Sequence, residues 1–185
     1  MKKIYYFLFL LIGTLSMTSC LKDENNYVDS EVWRLDNEAF FNRMKDSIDP
    51  VTKEPYFKRI VAEDYPAYEV LYHEITPGKE DGRIPYYNST VQVNYAGHLY
   101  DRDTNFDEAT GAEFRVNGVV AGWTWALQNM KEGAKWEIIV PWQLGYGATG
   151  STNSSGIYDG VVPPYSTMVF TIELVKILKW ETGTN

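Results

Sequence analysis

The chain has 185 residues, enough for one ordinary domain with extensions, and its apolar fraction of 44% is sufficient for a hydrophobic core. Lys and Arg number 17 against 25 Asp and Glu, so the net charge is -8. An acidic chain without a basic run is a poor binder of nucleic acid, and that class of partner is excluded. The aromatic fraction of 15% is high and favours a binding surface built from Tyr and Trp side chains.

Residues 1–19 are predicted to be a lipoprotein signal peptide and not part of the fold. Two lysines precede an apolar run from Ile4 to Ile12, which is too short to span a bilayer comfortably. Small residues follow and end at Cys20, the only cysteine, so no intramolecular disulfide is possible. The position of Cys20 resembles a bacterial lipobox, which implies an outer membrane lipoprotein, periplasmic or surface-exposed, anchored through lipidated Cys20. An ordinary secretory signal with an incidental cysteine is the alternative.

Residues 20–30 are mostly polar and are predicted to be a tether, and residues 31–65 are predicted to be a helical extension. Ser30 can cap a helix that starts at Glu31 and that Asp49-Pro50 ends. Apolar residues recur at helical spacing with polar residues largely opposite, namely Trp33, Phe40, Met44 and Ile48 against Asn37, Asn42 and Lys45. The apolar face either packs on the chain's own domain or forms a homodimer or partner contact through residues 31–48.

Residues 66–180 are predicted to form one α+β domain on an antiparallel sheet, because strand patterns outnumber helical ones. Apolar alternation predicts strands at Tyr68–Ile75, Val91–Tyr100, Phe114–Val120, Trp136–Val140 and Met168–Ile177. Thr110-Gly111 is predicted to be a turn, and Gly122 is predicted to break a strand before a short helix that runs from Trp123 to Met130. Residues 51–65 carry no clear motif, and Ser151 to Gly160 is predicted to be a mobile polar loop.

Motifs that carry chemistry are scarce. The two histidines, His73 and His98, have no metal-ligand spacing with other residues, and no phosphate-binding loop or nucleophile motif occurs. We therefore expect neither a metal nor another cofactor. Trp123, at a strand-to-helix corner, can instead close the floor of an apolar cavity, although most Trp side chains only pack in a core.

The stretch from Phe114 to Met130 resembles the centre of the FKBP family of peptidyl-prolyl isomerases, closest to its macrophage-infectivity-potentiator branch. Flanking patches keep the family's order, namely Val91, Val93, Tyr95, Gly97 and Leu99, then Phe106-Asp107, then Gly133, Val140-Pro141 and Tyr146-Gly147, then Val161 to Pro164 and Phe170 to Leu174. The resemblance implies an FKBP-like antiparallel half-barrel sheet wrapped on one short helix, with an N-terminal helical extension. It also implies isomerisation of X–Pro bonds.

The resemblance further implies roles for nine residues. Trp123 corresponds to the pocket floor, with walls formed by Tyr95, Phe106, Phe170, Val119, Val120 and Val162. The backbone N–H of Val120 and the hydroxyl of Tyr146 correspond to donors to substrate carbonyls. Asp107 corresponds to a buried carboxylate that organises the pocket hydrogen bonds and is not a general base. Plain core packing is the alternative for each aromatic residue.

Two departures from the family pattern affect substrate preference more than fold. Ala112 falls where some members place another pocket aromatic, and Ser151 to Gly160 is an insertion in the loop that overhangs the pocket. The predicted function is a peptidyl-prolyl cis-trans isomerase that assists folding of proline-containing, exported polypeptides in the bacterial envelope. The alternatives are a non-catalytic FKBP-like binding or chaperone module, and a subunit of an envelope assembly held through the Trp33–Met44 helix.

Overall fold

The computed structural model describes residues 30–152 and 161–181. The predicted signal peptide, Cys20 and residues 153–160 of the predicted loop lie outside the described residues. Six strands form a single antiparallel sheet in the order β1-β2-β5-β6-β3-β4. The strands and the two α-helices are α1 (Ser30–Lys45), β1 (Lys58–Val61), β2 (Glu69–Thr76), β3 (Thr90–Leu99), β4 (Asn105–Arg115), α2 (Ala121–Leu127), β5 (Lys135–Val140) and β6 (Met168–Lys179).

The inner face of the sheet wraps around α2. Ala126 and Leu127 are fully buried there, as are alternating residues of the central strands such as Val93, Ile138 and Ile172. Burial of this cluster stabilises the domain, because each Å² of apolar surface removed from water contributes about 25 cal/mol. The prediction of a sheet wrapped on one short helix is confirmed.

The corner before α2 differs from the prediction. The strand ends at Arg115, a 3₁₀ turn follows at Val116–Gly118, and Gly122 lies inside α2 and does not break a strand. The reason is packing, because a Cβ on Gly122 would lie 2.5 Å from a methyl carbon, Cγ1, of Val140. Because glycine has no side chain, α2 can approach β5 closely at this position.

The outer face of the sheet is covered by α1 and the segment that follows it. Phe41 and Phe57 pack there on Leu71, Ile139 and Val169, which alternate with the inner-face residues of their strands. Of the two interpretations of α1, packing on its own domain is therefore observed. The N-terminal extension is a third layer of the fold.

Asn37 corrects the predicted polar face of α1, because its side chain is fully buried. It lies one turn from both Trp33 and Phe41, so all three side chains face the domain. Its amide oxygen accepts a hydrogen bond from the N–H of Thr167 at 2.6 Å, and its amide nitrogen donates to the carbonyl of Trp33 at 2.7 Å. A buried polar group with both of its functions paired is compatible with a core position.

Three smaller differences have local causes. The helix ends at Lys45, before the predicted Asp49-Pro50, and Ile48 instead forms a β-bridge with Pro55. Strand β1 has only four residues and is largely exposed, so its sequence shows no alternation of apolar and polar residues that would predict a strand. Thr110-Gly111 is a bulge inside a continuous β4, where Gly111 has φ +71° and donates its N–H to the side chain of Asn94.

Candidate active site

A cavity of about 260 Å³ opens where the N-terminus of α2 meets strands β3, β4 and β6. Most of its lining is aromatic or aliphatic, and the lining residues are Tyr95, Phe106, Asp107, Phe114, Gly118, Val119, Val120, Trp123, Tyr146 and Phe170. Such a concave, largely apolar site with few polar groups is the usual form of a small-ligand or side-chain pocket.

Trp123 forms the floor of the cavity and is only 4% exposed. Three rings meet its indole nearly at right angles, with centroid distances of 5.0 Å for Tyr95, 5.9 Å for Phe114 and 5.3 Å for Phe170. Edge-to-face contacts of this kind are favourable because a positive ring edge meets a negative face. The indole nitrogen is buried, and in the described part of the chain its N–H has no hydrogen-bond partner.

Gly97 on β3 allows two of the walls to come together. A Cβ at this position would lie 2.4 Å from the ring of Phe170 and 3.2 Å from the ring of Phe106. The two rings pack edge to face at 5.7 Å. Glycine is thus required here for close approach.

The polar rim consists of a tyrosine and a carboxylate. The hydroxyl of Tyr95 donates a hydrogen bond to Oδ2 of Asp107 at 2.8 Å. Burial, followed by the hydrogen bond and the negative charge of Asp107, raises the pKa of Tyr95 from 10.0 to about 12. Tyr95 is therefore a neutral hydrogen-bond donor at any physiological pH.

Asp107 itself is exposed, which corrects the expectation of a buried carboxylate. It lies on β4, the edge strand of the sheet, and an edge strand leaves one side open to water. The hydrogen bond to Tyr95 is nevertheless present, so Asp107 orders the rim of the cavity and not its interior.

The two predicted donors lie on the same cavity. The carbonyl of Val120 accepts the first hydrogen bonds of α2, from the N–H groups of Trp123 at 2.9 Å and Thr124 at 3.1 Å. The N–H of Val120 precedes the helix and is not used by its hydrogen-bond ladder. Tyr146 also lines the cavity and is 38% exposed. Donation to a substrate remains a prediction for both.

Eight of the nine predicted site residues lie around this one cavity, and Val162 does not. Val162 is buried in the core, where its N–H donates to the hydroxyl of Ser151 at 2.8 Å and its carbonyl accepts from the N–H of Ser151 at 2.9 Å. Ser151 is correspondingly buried, so the predicted mobile loop is fixed at this end.

Phe114 and Gly118 line the cavity but were not among the predicted residues. Phe114 was identifiable in principle, because it lies two positions from Ala112 on the same face of a strand. Ala112 packs against the core and does not line the cavity, so Phe114 supplies aromatic surface at that wall. Gly118 contributes only backbone atoms, and nothing in the sequence around it indicates a place in the site.

Within the described residues no group of His, Cys, Asp and Glu side chains could hold a metal ion. None of the helices described here has the length and apolarity needed to cross a membrane.

The family model for FKBP-type peptidyl-prolyl cis-trans isomerase matches residues 82–175. The chain belongs to this family. A 22 kDa FKBP-type isomerase of Escherichia coli is 43% identical over 102 residues, which are 53% of this chain and 46% of the relative. The outer membrane protein MIP of Legionella longbeachae is 41% identical over 107 residues, or 56% of this chain and 39% of the relative. The chain therefore spans less than half the length of these curated relatives.

A solved structure of a peptidyl-prolyl cis-trans isomerase from Pseudomonas syringae pv. tomato is similar to most of this chain. It superposes with a TM-score of 0.64 at 32% identity, covering 81% of this chain and 96% of that one. The predicted family and its macrophage-infectivity-potentiator branch are thus confirmed, as is the FKBP-like fold. The family match in this FKBP-type chain begins after β2, although β2 pairs with β5 inside the sheet.

Proposed function

We propose that this FKBP-type chain catalyses cis–trans isomerisation of X–Pro bonds in exported polypeptides of the bacterial envelope. The observation that carries the proposal is the aromatic cavity over Trp123, which is large enough for a proline ring and lined by apolar side chains. Membership of the family supports the same reaction.

The reaction requires little chemistry from the protein. The barrier to rotation about a peptide bond is about 18–20 kcal/mol, because resonance is lost in the twisted amide. The twisted amide is less charge-separated than the planar one, so an apolar cavity stabilises it relative to the ground state. Donors that fit only the twisted geometry add differential binding, and no covalent intermediate is needed.

In this proposal Trp123 and the surrounding rings hold the proline ring and exclude water. The N–H of Val120 and the hydroxyl of Tyr146 donate hydrogen bonds to the substrate carbonyls that flank the twisting bond. Asp107 holds the hydroxyl of Tyr95 at the rim and takes no proton from the substrate. Val162 supports the fold behind the site through its hydrogen bonds to Ser151.

The location of the protein is part of the proposal. We infer an outer membrane lipoprotein held through Cys20, with its domain in the periplasm or at the surface. The apolar run from Ile4 to Ile12 and the cysteine that follows it support this location. A relative named as an outer membrane protein is consistent with it.

A homodimer through residues 31–48 also remains a proposal, and it is limited by the packing of α1. The side of the helix that carries Trp33 and Phe41 is occupied by the chain's own domain. Val32 and Leu35 are each 51% exposed and are the large apolar side chains of α1 that face solvent. Light scattering compares the molar mass of Leu35→Glu with that of the unchanged protein. A dimer that Leu35→Glu dissociates would support this interface, and an unchanged protein that is monomeric would contradict the homodimer.

One experiment separates the enzyme from the non-catalytic binding module. The chain from Asp23 onward retains every described residue and is tested on a short proline peptide and on a protein whose refolding is limited by proline isomerisation. The isomerase is supported if the unchanged protein accelerates both reactions and a folded Trp123→Ala variant does not. An inactive protein that still suppresses aggregation of an unfolded client supports the binding module.

A further inference from the structure

The turn of residues 142–147, which carries Tyr146, is hydrogen-bonded to α1. Trp142, at the start of this turn, donates its indole N–H to Oε1 of Glu38 on α1 at 3.3 Å. The N–H of Gly147, at its end, donates to the carbonyl of Trp142 at 2.9 Å. Tyr146 lies between these two points and lines the cavity.

A second segment, residues 163–167, is fixed by α1 through buried hydrogen bonds. The N–H of Thr167 donates to Asn37, and the hydroxyl of Thr167 donates to the carbonyl of Asn37 at 3.3 Å. The indole of Trp33 donates to the hydroxyl of Ser166 at 3.2 Å. Ser166 in turn donates to the carbonyl of Pro163 at 2.7 Å.

Tyr165 joins the two segments in a strained conformation. Its N–H donates to the carbonyl of Gly147 at 2.9 Å, and its ring meets the ring of Trp142 edge to face at 5.1 Å. Its φ of +60° is rare for a bulky side chain. Such a conformation persists only when its surroundings determine it, and here the next two residues are both bound by α1.

We propose that α1 is a positioning element of the active site, acting through residues 163–167 and the 142–147 turn to place the hydroxyl of Tyr146. The proposal rests on the isomerase function proposed above and assigns Asn37 as its central positioning residue. The functional unit then includes a helix that lies outside the family match at residues 82–175. None of the α1 residues touches the substrate.

Asn37→Ala in the otherwise intact chain tests the proposal. Asn42→Ala is the matched control, because it makes the same change at an exposed position of the same helix. We expect Asn37→Ala to lower kcat and kcat/KM for a short proline peptide together by about tenfold, since a misplaced group costs transition-state binding. Asn42→Ala is expected to match the unchanged protein.

The effect must depend on Tyr146. In a Tyr146→Phe background the further loss from Asn37→Ala should be less than about twofold, because residues that act as one unit are not additive. An equal loss in both backgrounds would show that α1 acts elsewhere and would overturn the proposal. If Asn37→Ala does not fold, Glu38→Ala replaces it with Glu38→Gln as control, because Gln keeps an acceptor for Trp142 and should restore the activity.

Amide hydrogen exchange gives a readout that does not require activity. The N–H groups of Gly147 and Tyr165 should exchange at least about tenfold faster in Asn37→Ala, whereas amides in β3 should not change. Unchanged exchange at both positions would overturn the positioning role. An unchanged protein without isomerase activity would overturn the proposed function instead, and the exchange data would still decide whether α1 holds the turn.

Discussion

Tyr95 and Asp107 show how a polar pair can serve an apolar site. The carboxylate accepts the tyrosine hydrogen bond, and the pKa of Tyr95 rises to about 12, because burial and the nearby negative charge disfavour the phenolate. The hydroxyl is thereby fixed as a donor to Asp107 at the rim of the cavity.

The Tyr95 pKa predicts a stability change in alkali. Unfolded Tyr95 loses its proton near its ordinary pKa of 10.0, whereas the folded group holds it until about 12. Between these values the folded state binds more protons, so its stability is complete below pH 10 and falls as pH rises towards 12. In urea titrations at several pH values, the free energy of unfolding should fall more steeply for the unchanged protein than for Tyr95→Phe. Parallel curves would contradict this assignment.

The pocket residues predict a separation of activity from folding. Asp107→Leu should lower isomerase activity well below that of the unchanged protein, because Tyr95 loses its acceptor, and Asp107→Asn should retain more activity because it still accepts a hydrogen bond. Phe106→Ala should also lower activity. Phe106 is partly exposed, so its stability cost should be less than the roughly 3–5 kcal/mol of a fully buried Phe. Circular dichroism must show folding first, and full activity in folded Asp107→Leu and Phe106→Ala would place the pocket elsewhere.

The contact between α2 and β5 predicts a mutation with a specific rescue. Gly122→Ala places a methyl group against Val140, and overpacking of this kind costs about 1–3 kcal/mol. Thermal or urea denaturation measures the loss. The double variant Gly122→Ala, Val140→Ala should lose less stability than the two single variants lose together, because the second change removes the two methyl groups that the first one meets. Losses that simply add, or a double variant that loses more than their sum, would contradict the proposed contact.

Elements with regular alternation could be predicted from sequence, and elements fixed by distant partners could not. Strand β3 was predictable because Val91 and Val93 alternate with polar residues along an inner strand. The burial of Asn37 was not, since its partner Thr167 lies 130 positions away and no local pattern reports it. The sequence predicts a turn at Gly111, where the structure has a bulge, because turns and bulges both place glycine at positive φ.

The candidate site shows the same limit. Eight of the residues that the resemblance predicts for the site do line one cavity, because each belongs to a motif whose order in the chain is fixed. It did not predict the exposure of Asp107, which depends on the position of β4 at the sheet edge. It also placed Val162 on the cavity, whereas the hydrogen bonds to Ser151 hold that residue in the core.

At the scale of the whole molecule, the proposed anchor predicts where the protein is found. Cys20→Ser should release the protein from the membrane fraction, because acyl chains stabilise membrane binding by about 0.8 kcal/mol per buried CH₂. Cell fractionation with an antibody to the domain measures this, and Ser19→Ala, which retains Cys20, is the control. A variant that is processed at the same bond and remains with the membrane would falsify the lipoprotein proposal.

The hydrogen bonds between α1 and residues 166–167, just before β6, bear on the order in which the chain can fold. A polypeptide made from its N-terminus presents α1 long before Ser166 and Thr167 exist, and until then the indole of Trp33 and the amide oxygen of Asn37 lack these hydrogen-bond partners. A helix of 16 residues is marginal in isolation, and contacts so distant in sequence form slowly. We therefore expect α1 to complete its native contacts late, after residues 166–167 have been made and β6 has joined the sheet. A helix close to the N-terminus is then expected to mark the end of folding, because its hydrogen bonds require a segment near the other end of the domain.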